Sequence, residues 1–201
     1  SPFILTLGMA VVVYGLTQIY SGGTARGQVA PGFREFANSR LYEVVPMLAL
    51  AFAALAAIGL VVQKTTTFGR QLFLIGSNRQ TAVLAGLPVR RVTVIAYAIA
   101  GLFGALGGIA LLARSGVSST NVGQGLEFQV LAAVVLGGTT FEGGRGGIAG
   151  TVAGVLVLVM AFNLVNIVGL SYHLQLVVMG AIIILASALY GYLQARTSGR
   201  G

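Results

Sequence analysis

The 201-residue chain has no cysteine and no tryptophan, one histidine, and only four acidic residues. The lack of cysteine excludes a disulfide framework, a thiol nucleophile and a zinc cluster built on cysteine. The only lysine, Lys64, is not part of a Gly-Lys-Ser or Gly-Lys-Thr motif, so the chain supplies no P-loop of its own. His173 stands alone, no span contains paired carboxylates, and there is no Gly-x-Ser-x-Gly elbow. These absences argue against an enzyme and predict no metal site.

Hydrophobic residues make up 56% of the chain, charged residues 8%, and the mean hydropathy is +0.92. Soluble domains carry about 25% charged residues, so the composition predicts an integral membrane protein. The net charge of +8 would indicate nucleic acid in a soluble protein. In a membrane protein it is better explained by basic residues in cytoplasmic loops, and no nucleic-acid partner is expected.

The predicted fold class is all-α, a polytopic transmembrane helical bundle with about six membrane segments. A span needs about 20 apolar residues, and the fourth segment is short, which predicts a tilted or half-length helix buried in protein. Ionisable residues are absent from the centres of the spans, which disfavours a proton relay or an ion pump. The segments are Phe3 to Tyr20, Val44 to Val62, Val92 to Ala113, Phe128 to Phe141, Gly147 to Val168 and Leu174 to Leu193.

The orientation follows from the basic residues of the connecting loops, which concentrate on the cytoplasmic side of membrane proteins. With the loop after the second span inside, eight basic residues lie inside and four outside. This predicts a multi-pass protein of the cytoplasmic membrane with its C-terminus and loop 63–91 in the cytoplasm. The inner set is Lys64, Arg70, Arg79, Arg90, Arg91, Arg145, Arg196 and Arg200; the outer set is Arg26, Arg34, Arg40 and Arg114.

The interval from Gln63 to Arg91 is basic, contains no acid, and encodes a short helix. Ser77 and Gln80 have the spacing of a capping box. Gly86 stands where a left-handed residue would end the helix, and Pro88 prevents its continuation. A helix of about two turns is unstable alone in water and needs a surface to pack on. That surface is either a partner protein, with Ala82, Leu84 and Ala85 facing it, or the chain itself or the lipid headgroups.

Two stretches resemble the ABC sugar-importer permeases of the ribose/xylose/galactose type. The first is IGSNRQTAVLAGLPVRRV with the following YAIAGLFGALGG, and the second is GLEFQVLAAVVLGGTTFEGGRGGIAGTVAG. The resemblance covers essentially the whole chain and implies one permease domain over residues 1–201, with a coupling loop at 63–91. In that family this loop docks into a cleft on the ATPase subunit. Carried over residue by residue, the family motif is held by Asn78, Gln80, Thr81, Ala82 and Gly86. The coupling residues expected here are Ser77, Asn78, Arg79, Gln80, Thr81, Ala82, Ala85 and Gly86.

The resemblance also implies partners and a mechanism. These are an ABC ATPase subunit that binds ATP and Mg²⁺, an extracytoplasmic sugar-binding protein, a second permease copy and the lipid membrane. The implied function is translocation of a monosaccharide or related small polar solute by alternating access. The opening SPFILTLGM is similar to an internal segment of such permeases, so N-terminal spans are expected to be missing. The alternative is a passive channel or secondary transporter, in which loop 63–91 is only a connector.

Glycines are frequent around Glu142 and Arg145, where they predict a tight cytoplasmic turn rather than a phosphate-binding loop, which would need a soluble strand–turn–helix context. Small residues let membrane helices approach closely. Helix packing is therefore expected at Gly104, Gly108, Gly146, Gly150 and Gly154.

Polar side chains within spans tend to face the bundle interior or a water-filled cavity. Asn163 and Asn166 lie three residues apart on one helix face, where they would hydrogen-bond either a passing sugar or a neighbouring helix. Glu127 is favourable at a helix N-terminus and is equally consistent with a place on the translocation path. The candidates for that path are Glu127, Gln129, Thr139, Asn163 and Asn166.

Overall fold

The computed structural model describes residues 2–24, 29–117, 122–123, 125–140 and 143–167, and single residues at 169, 174, 177, 180 and 181. Within these ranges the chain is almost entirely helical, as predicted. The helices are α1 Pro2–Ser21, α2 Pro31–Asn38, α3 Met47–Thr65, α4 Thr67–Ser77, α5 Arg79–Leu84, α6 Val89–Ser115, α7 Leu126–Leu136 and α8 Ile148–Ile167; the two strands are β1 Arg40–Leu41 and β2 Val45–Pro46.

Four of these helices are long and apolar enough to cross a membrane: α1, α3, α6 and α8. They coincide with the first, second, third and fifth predicted segments, so those predictions are confirmed. Their surfaces are rich in exposed large apolar side chains, which suits contact with lipid tails. The sixth predicted segment, Leu174 to Leu193, lies almost wholly outside the described residues.

The fourth predicted segment is the short helix α7, of 11 residues. At 1.5 Å per residue it spans about 16 Å, roughly half of a hydrocarbon core. The predicted end at Phe141 is wrong, because the helix ends at Leu136, where Gly137 is its C-cap and Gly138 adopts φ +85°. Only glycine enters this left-handed region at no steric cost, so the two glycines end the helix.

Helices α7 and α8 form an antiparallel hairpin held by close backbone contact. A Cβ on Gly150 would collide with the carbonyl oxygen of Gly137, and one on Gly154 with the carbonyl oxygen of Ala133. Farther from the connecting turn, Ala132 and Ala133 of α7 are buried against Leu158 of α8, and Leu136, Val155 and Phe162 pack around them. Gly150 and Gly154 thus lie against the backbone of α7, the arrangement that their predicted packing role requires.

The chain divides into two compact units, Ser1–Phe52 with Ala100–Gln124, and Ala53–Ile99 with Gly125–Gly201. The first unit contains α2 and the β1–β2 hairpin, in which Arg40 pairs with Pro46 and Leu41 with Val45. Its turn is unusual because Tyr42 and Glu43 both have positive φ, at 51° and 60°. The second unit contains α4, α5, α7 and α8, and with them all the predicted coupling and pathway residues.

Candidate functional site: the α4–α5 loop and the glycine turn

Helix α5 begins at a side-chain cap, but the predicted capping residue is wrong. Asn78 Oδ1 accepts a hydrogen bond from the Thr81 amide at 3.0 Å, which makes Asn78 the N-cap. Ser77 is still helical as the last residue of α4. Gln80 is consequently the second residue of α5 rather than the third, so the Ser77–Gln80 capping box does not form. Asparagine and serine are equally good N-caps, and the extent of α4 decides between them.

The end of α5 is a Schellman motif. The Leu87 amide donates to the Ala82 carbonyl at 3.1 Å and the Gly86 amide donates to the Val83 carbonyl at 3.0 Å. Gly86 has φ +74°, the left-handed conformation predicted for it. Pro88 comes two residues after Gly86 and prevents the helix from continuing. Both ends of this six-residue helix are therefore fixed by hydrogen bonds, and α5 is a defined element rather than a fraying turn.

Helix α5 presents large apolar side chains outward. Leu84 is 88% exposed and Val83 57% exposed, and the side chains of Arg79, Gln80 and Thr81 are also exposed. Ala82, in contrast, is only 4% exposed because it packs inside this chain. The expectation that Ala82 lies on a surface offered to a partner is therefore wrong; Leu84 and Ala85 from the same predicted face are exposed.

Helix α4 is a second helix in the loop, where only one was predicted. Its N-cap is Thr66, whose hydroxyl oxygen accepts from the Gly69 amide at 3.2 Å. The signal was present in the sequence, since a threonine precedes eleven residues without proline. Asn78 is at once the C-cap of α4 and the N-cap of α5, so the two helices are joined through a single extended residue.

An open groove of about 470 Å³ lies beside α5, between it and the start of α6. Three arginines line it, Arg79, Arg90 and Arg91, together with the apolar side chains of Val83 and Leu87. All three arginines are exposed. The groove therefore combines positive charge with an apolar wall, directly next to the exposed side chains of α5.

The glycine-rich segment from Gly137 to Gly147 does form a turn, and it packs on the end of α4. A Cβ on Gly76 would lie 2.6 Å from the Gly144 backbone nitrogen, and one on Gly144 would lie 2.6 Å from Ser77 Cα. Gly143 and Gly144 have φ of 85° and 72°. Such spacing is compatible only with glycine, so the α4 end and the turn touch backbone to backbone.

The same turn leads into the start of α8, which α3 caps. The Ile148 amide donates to Gln63 Oε1 at 3.0 Å, although the two residues are far apart in sequence. Gly146 lies before α8 rather than on it, and a Cβ there would collide with the Thr139 hydroxyl. Gly146 thus packs within the turn, not in a helix stripe. Gly104 and Gly108 have nothing within 4 Å of a Cβ position among the described residues.

The predicted pathway residues fall into two groups along the α7–α8 hairpin. Glu127 and Gln129 lie in the first turn of α7, and Asn163 and Asn166 lie near the end of α8, so antiparallel packing places all four at one end. Asn163 and Asn166 are exposed in this chain. Thr139 lies at the opposite end, in the glycine turn. The structure therefore does not bring Thr139 together with the other four.

Residues 1–187 match a family described as a branched-chain amino acid transport system / permease component. Because the match covers most of the chain, the chain belongs to this permease family. It is a family of membrane transport subunits, in agreement with the four long apolar helices and with the predicted class.

The similar proteins include sugar import permeases. The chain is 38% identical over 191 residues to the ribose import permease of Bacillus subtilis, covering 94% of this chain and 59% of that protein. It is 33% identical to the galactose/methyl galactoside import permease of Escherichia coli, covering 98% and 60%. The L-arabinose transport system permease of the same organism is 37% identical, covering 96% and 59%. The chain thus spans about three fifths of these relatives, and no solved structure gives a significant match.

Proposed function

We propose that the chain is part of the membrane-spanning permease subunit of an ATP-binding-cassette importer, and that the solute is a monosaccharide or a related small polar compound. Support for the sugar comes from the relatives, whose names specify ribose, galactose and L-arabinose import. Support for the ATPase partner comes from α5. A six-residue helix is too short to be stable alone in water, and its last residue is a leucine that is 88% exposed and available to pack on another protein.

The docking surface for the ATPase consists of Leu84 and Val83 with the arginine-lined groove beside them. The apolar side chains enter a cleft on the ATPase, and Arg79, Arg90 and Arg91 face acidic groups at its edge. The other coupling residues hold α5 in place. Asn78 joins α5 to Ser77 at the end of α4 and caps α5 by accepting from the Thr81 amide. Ala82 packs inside the chain, and Gly86 ends the helix. In this arrangement the α4–α5 loop and the C-terminus are cytoplasmic, consistent with the excess of basic residues on that side.

The remaining partners are a sugar-binding protein on the extracytoplasmic side and a second permease copy. Gly104 and Gly108, which have open space beside them in the described chain, would pack on a helix of that second copy or of another part of the permease. Transport follows alternating access: ATP binding closes the ATPase pair, α5 moves with it, and the spans change between two packings.

The translocation path runs along the end of the α7–α8 hairpin that carries Glu127, Gln129, Asn163 and Asn166. Carboxylate and amide groups hydrogen-bond sugar hydroxyls, and polar groups at membrane depth usually face a water-filled cavity. Thr139 belongs to the cytoplasmic end of the same path. Replacement of both asparagines by leucine is expected to lower uptake while leaving the ATPase bound.

The decisive experiment is co-purification of an ATPase subunit with the complete permease. Leu84→Arg should abolish this association, because a charge replaces the apolar tip of α5, whereas Leu84→Met should keep it. ATP-dependent sugar uptake should be lost with the first variant and retained with the second. Solute movement that needs neither ATP nor an ATPase would overturn the proposal and favour a passive channel or secondary transporter.

A further inference from the structure

Movement of α5 reaches α3 and α6 through the chain itself, because α4 follows α3 at Thr66 and residues 85–88 join α5 to α6. The described residues also contain a route to α8, and it runs through contacts between segments distant in sequence. The inference rests on the proposed function, since it concerns how an ATPase-driven movement is passed on. Its first step is the link at Asn78. This residue caps both α4 and α5, so a displacement of α5 displaces the C-terminal end of α4.

The second step is the contact of the α4 end with the glycine turn. Gly76 and Ser77 lie against Gly143 and Gly144, and a Cβ on Gly143 would lie 3.1 Å from the Gly76 carbonyl oxygen. No flexible side chain separates the two backbones at this point. Contacts in packed interiors transmit displacement because they have few alternative arrangements, and a backbone contact has fewer than one made by long side chains.

The third step is the connection of the turn to two membrane helices. The turn continues without interruption into α8, whose Ile148 amide is bonded to Gln63 near the end of α3. A Cβ on Gly147 would lie 3.4 Å from Gln63 Nε2, so the backbone of the turn also touches this side chain. A displaced turn therefore pulls on α8 directly and on α3 through Gln63.

We propose that Gly76 and Gly144 form the joint that passes the movement of α5 to α8, with Gln63 as the positioning residue that holds α3 and α8 together. The turn is then a moving part of the coupling machinery rather than a connector between α7 and α8. Gly86 serves α5 differently: a Cβ there meets nothing within 4 Å in the described chain, and its role is the left-handed helix end.

The test uses the complete transport system with its ATPase and sugar-binding protein, reconstituted in vesicles. Gly76→Ala puts a methyl group into the joint, and Gly8→Ala in α1 is the matched control, a helical glycine whose Cβ meets nothing within 4 Å in the described chain. Gly76→Ala should still bind the ATPase, but the number of sugar molecules imported per ATP hydrolysed should fall about tenfold, within the usual range of coupling free energies. If Gly76→Ala imports as many sugar molecules per ATP hydrolysed as the unaltered protein, the proposed joint is wrong.

A second measurement avoids the glycine substitutions. The 201 residues contain no cysteine. Ser77→Cys, beside the joint, and Arg145→Cys, in the turn, each introduce one thiol, and any cysteine elsewhere in the permease or its partners is first replaced by serine so that the labelling is selective. Both positions are exposed. If the joint transmits movement, trapping the ATPase with an ATP analogue should change the labelling rates at both positions. A change at Ser77 alone, or at neither position, would overturn it. Failure of the unaltered protein to bind the ATPase would instead count against the proposed function.

Discussion

The backbone amide of Ile148 donates a 3.0 Å hydrogen bond to the side-chain oxygen of Gln63, a residue 85 positions earlier in the chain. This bond satisfies one of the four amides that the first turn of α8 leaves without a helical partner. It also ties the C-terminal end of α3 to the start of α8. The sequence alone offers no pattern from which this pairing could be read.

Gln63→Leu should destabilise the protein by about 1–3 kcal/mol, because it leaves the Ile148 amide without an acceptor in a half-buried position. Gln63→Glu should retain most of the stability, since a carboxylate still accepts the bond and is favourable at a helix N-terminus. Thermal unfolding in detergent would measure both variants. Equal stability of the leucine and glutamate variants would contradict the importance of the bond.

Asn78→Ala should destabilise α5 by about 1 kcal/mol, the usual effect of removing an N-cap. Hydrogen exchange at the amides of Arg79 to Leu84 would report this as faster exchange, by roughly fivefold for that free energy. Asn78→Asp should exchange like the unaltered chain. Ser77→Ala is the matched control, because Ser77 does not cap the helix; faster exchange in this variant would restore the rejected capping box.

Gly154→Ala should weaken the α7–α8 hairpin, since the new methyl group would collide with the Ala133 carbonyl oxygen. Overpacking of this kind costs about 1–3 kcal/mol. Gly8→Ala is the comparison within α1, where nothing in the described chain lies within 4 Å of a Cβ. A lower unfolding temperature for Gly154→Ala but not for Gly8→Ala is the expected result. Equal losses in the two variants would contradict a specific role of the Gly154–Ala133 contact.

Glu43→Gly should stabilise the β1–β2 hairpin. Glu43 has φ +60°, a conformation that costs a residue with a Cβ about 1–2 kcal/mol and glycine almost nothing. Part of that gain is offset by the greater freedom of glycine in the unfolded chain, so a net increase of about 0.5 kcal/mol is expected. Glu43→Ala, which keeps the Cβ, is the control and should give no gain in unfolding temperature.

The long helices could be predicted because span length and apolar composition are local properties. The end of α5 could be predicted for the same reason, since Gly86 and Pro88 act on their own backbone. The start of α5 could not, because Ser77 and Asn78 are equally suitable caps and the choice depends on how far α4 extends. The burial of Ala82 and the Gly76–Gly144 contact are tertiary facts, and no spacing along the chain encodes them.

The backbone contact between Gly76 and Gly144 has a consequence for building chimeric permeases. Because no side chains mediate it, the shapes of the two backbones must match as a pair. A graft that replaces residues 66–88 with the loop of another permease, in order to accept a different ATPase, would meet a foreign surface at residues 143–144. Residues 66–88 and the glycine turn therefore have to be exchanged together when the ATPase specificity of a permease is changed.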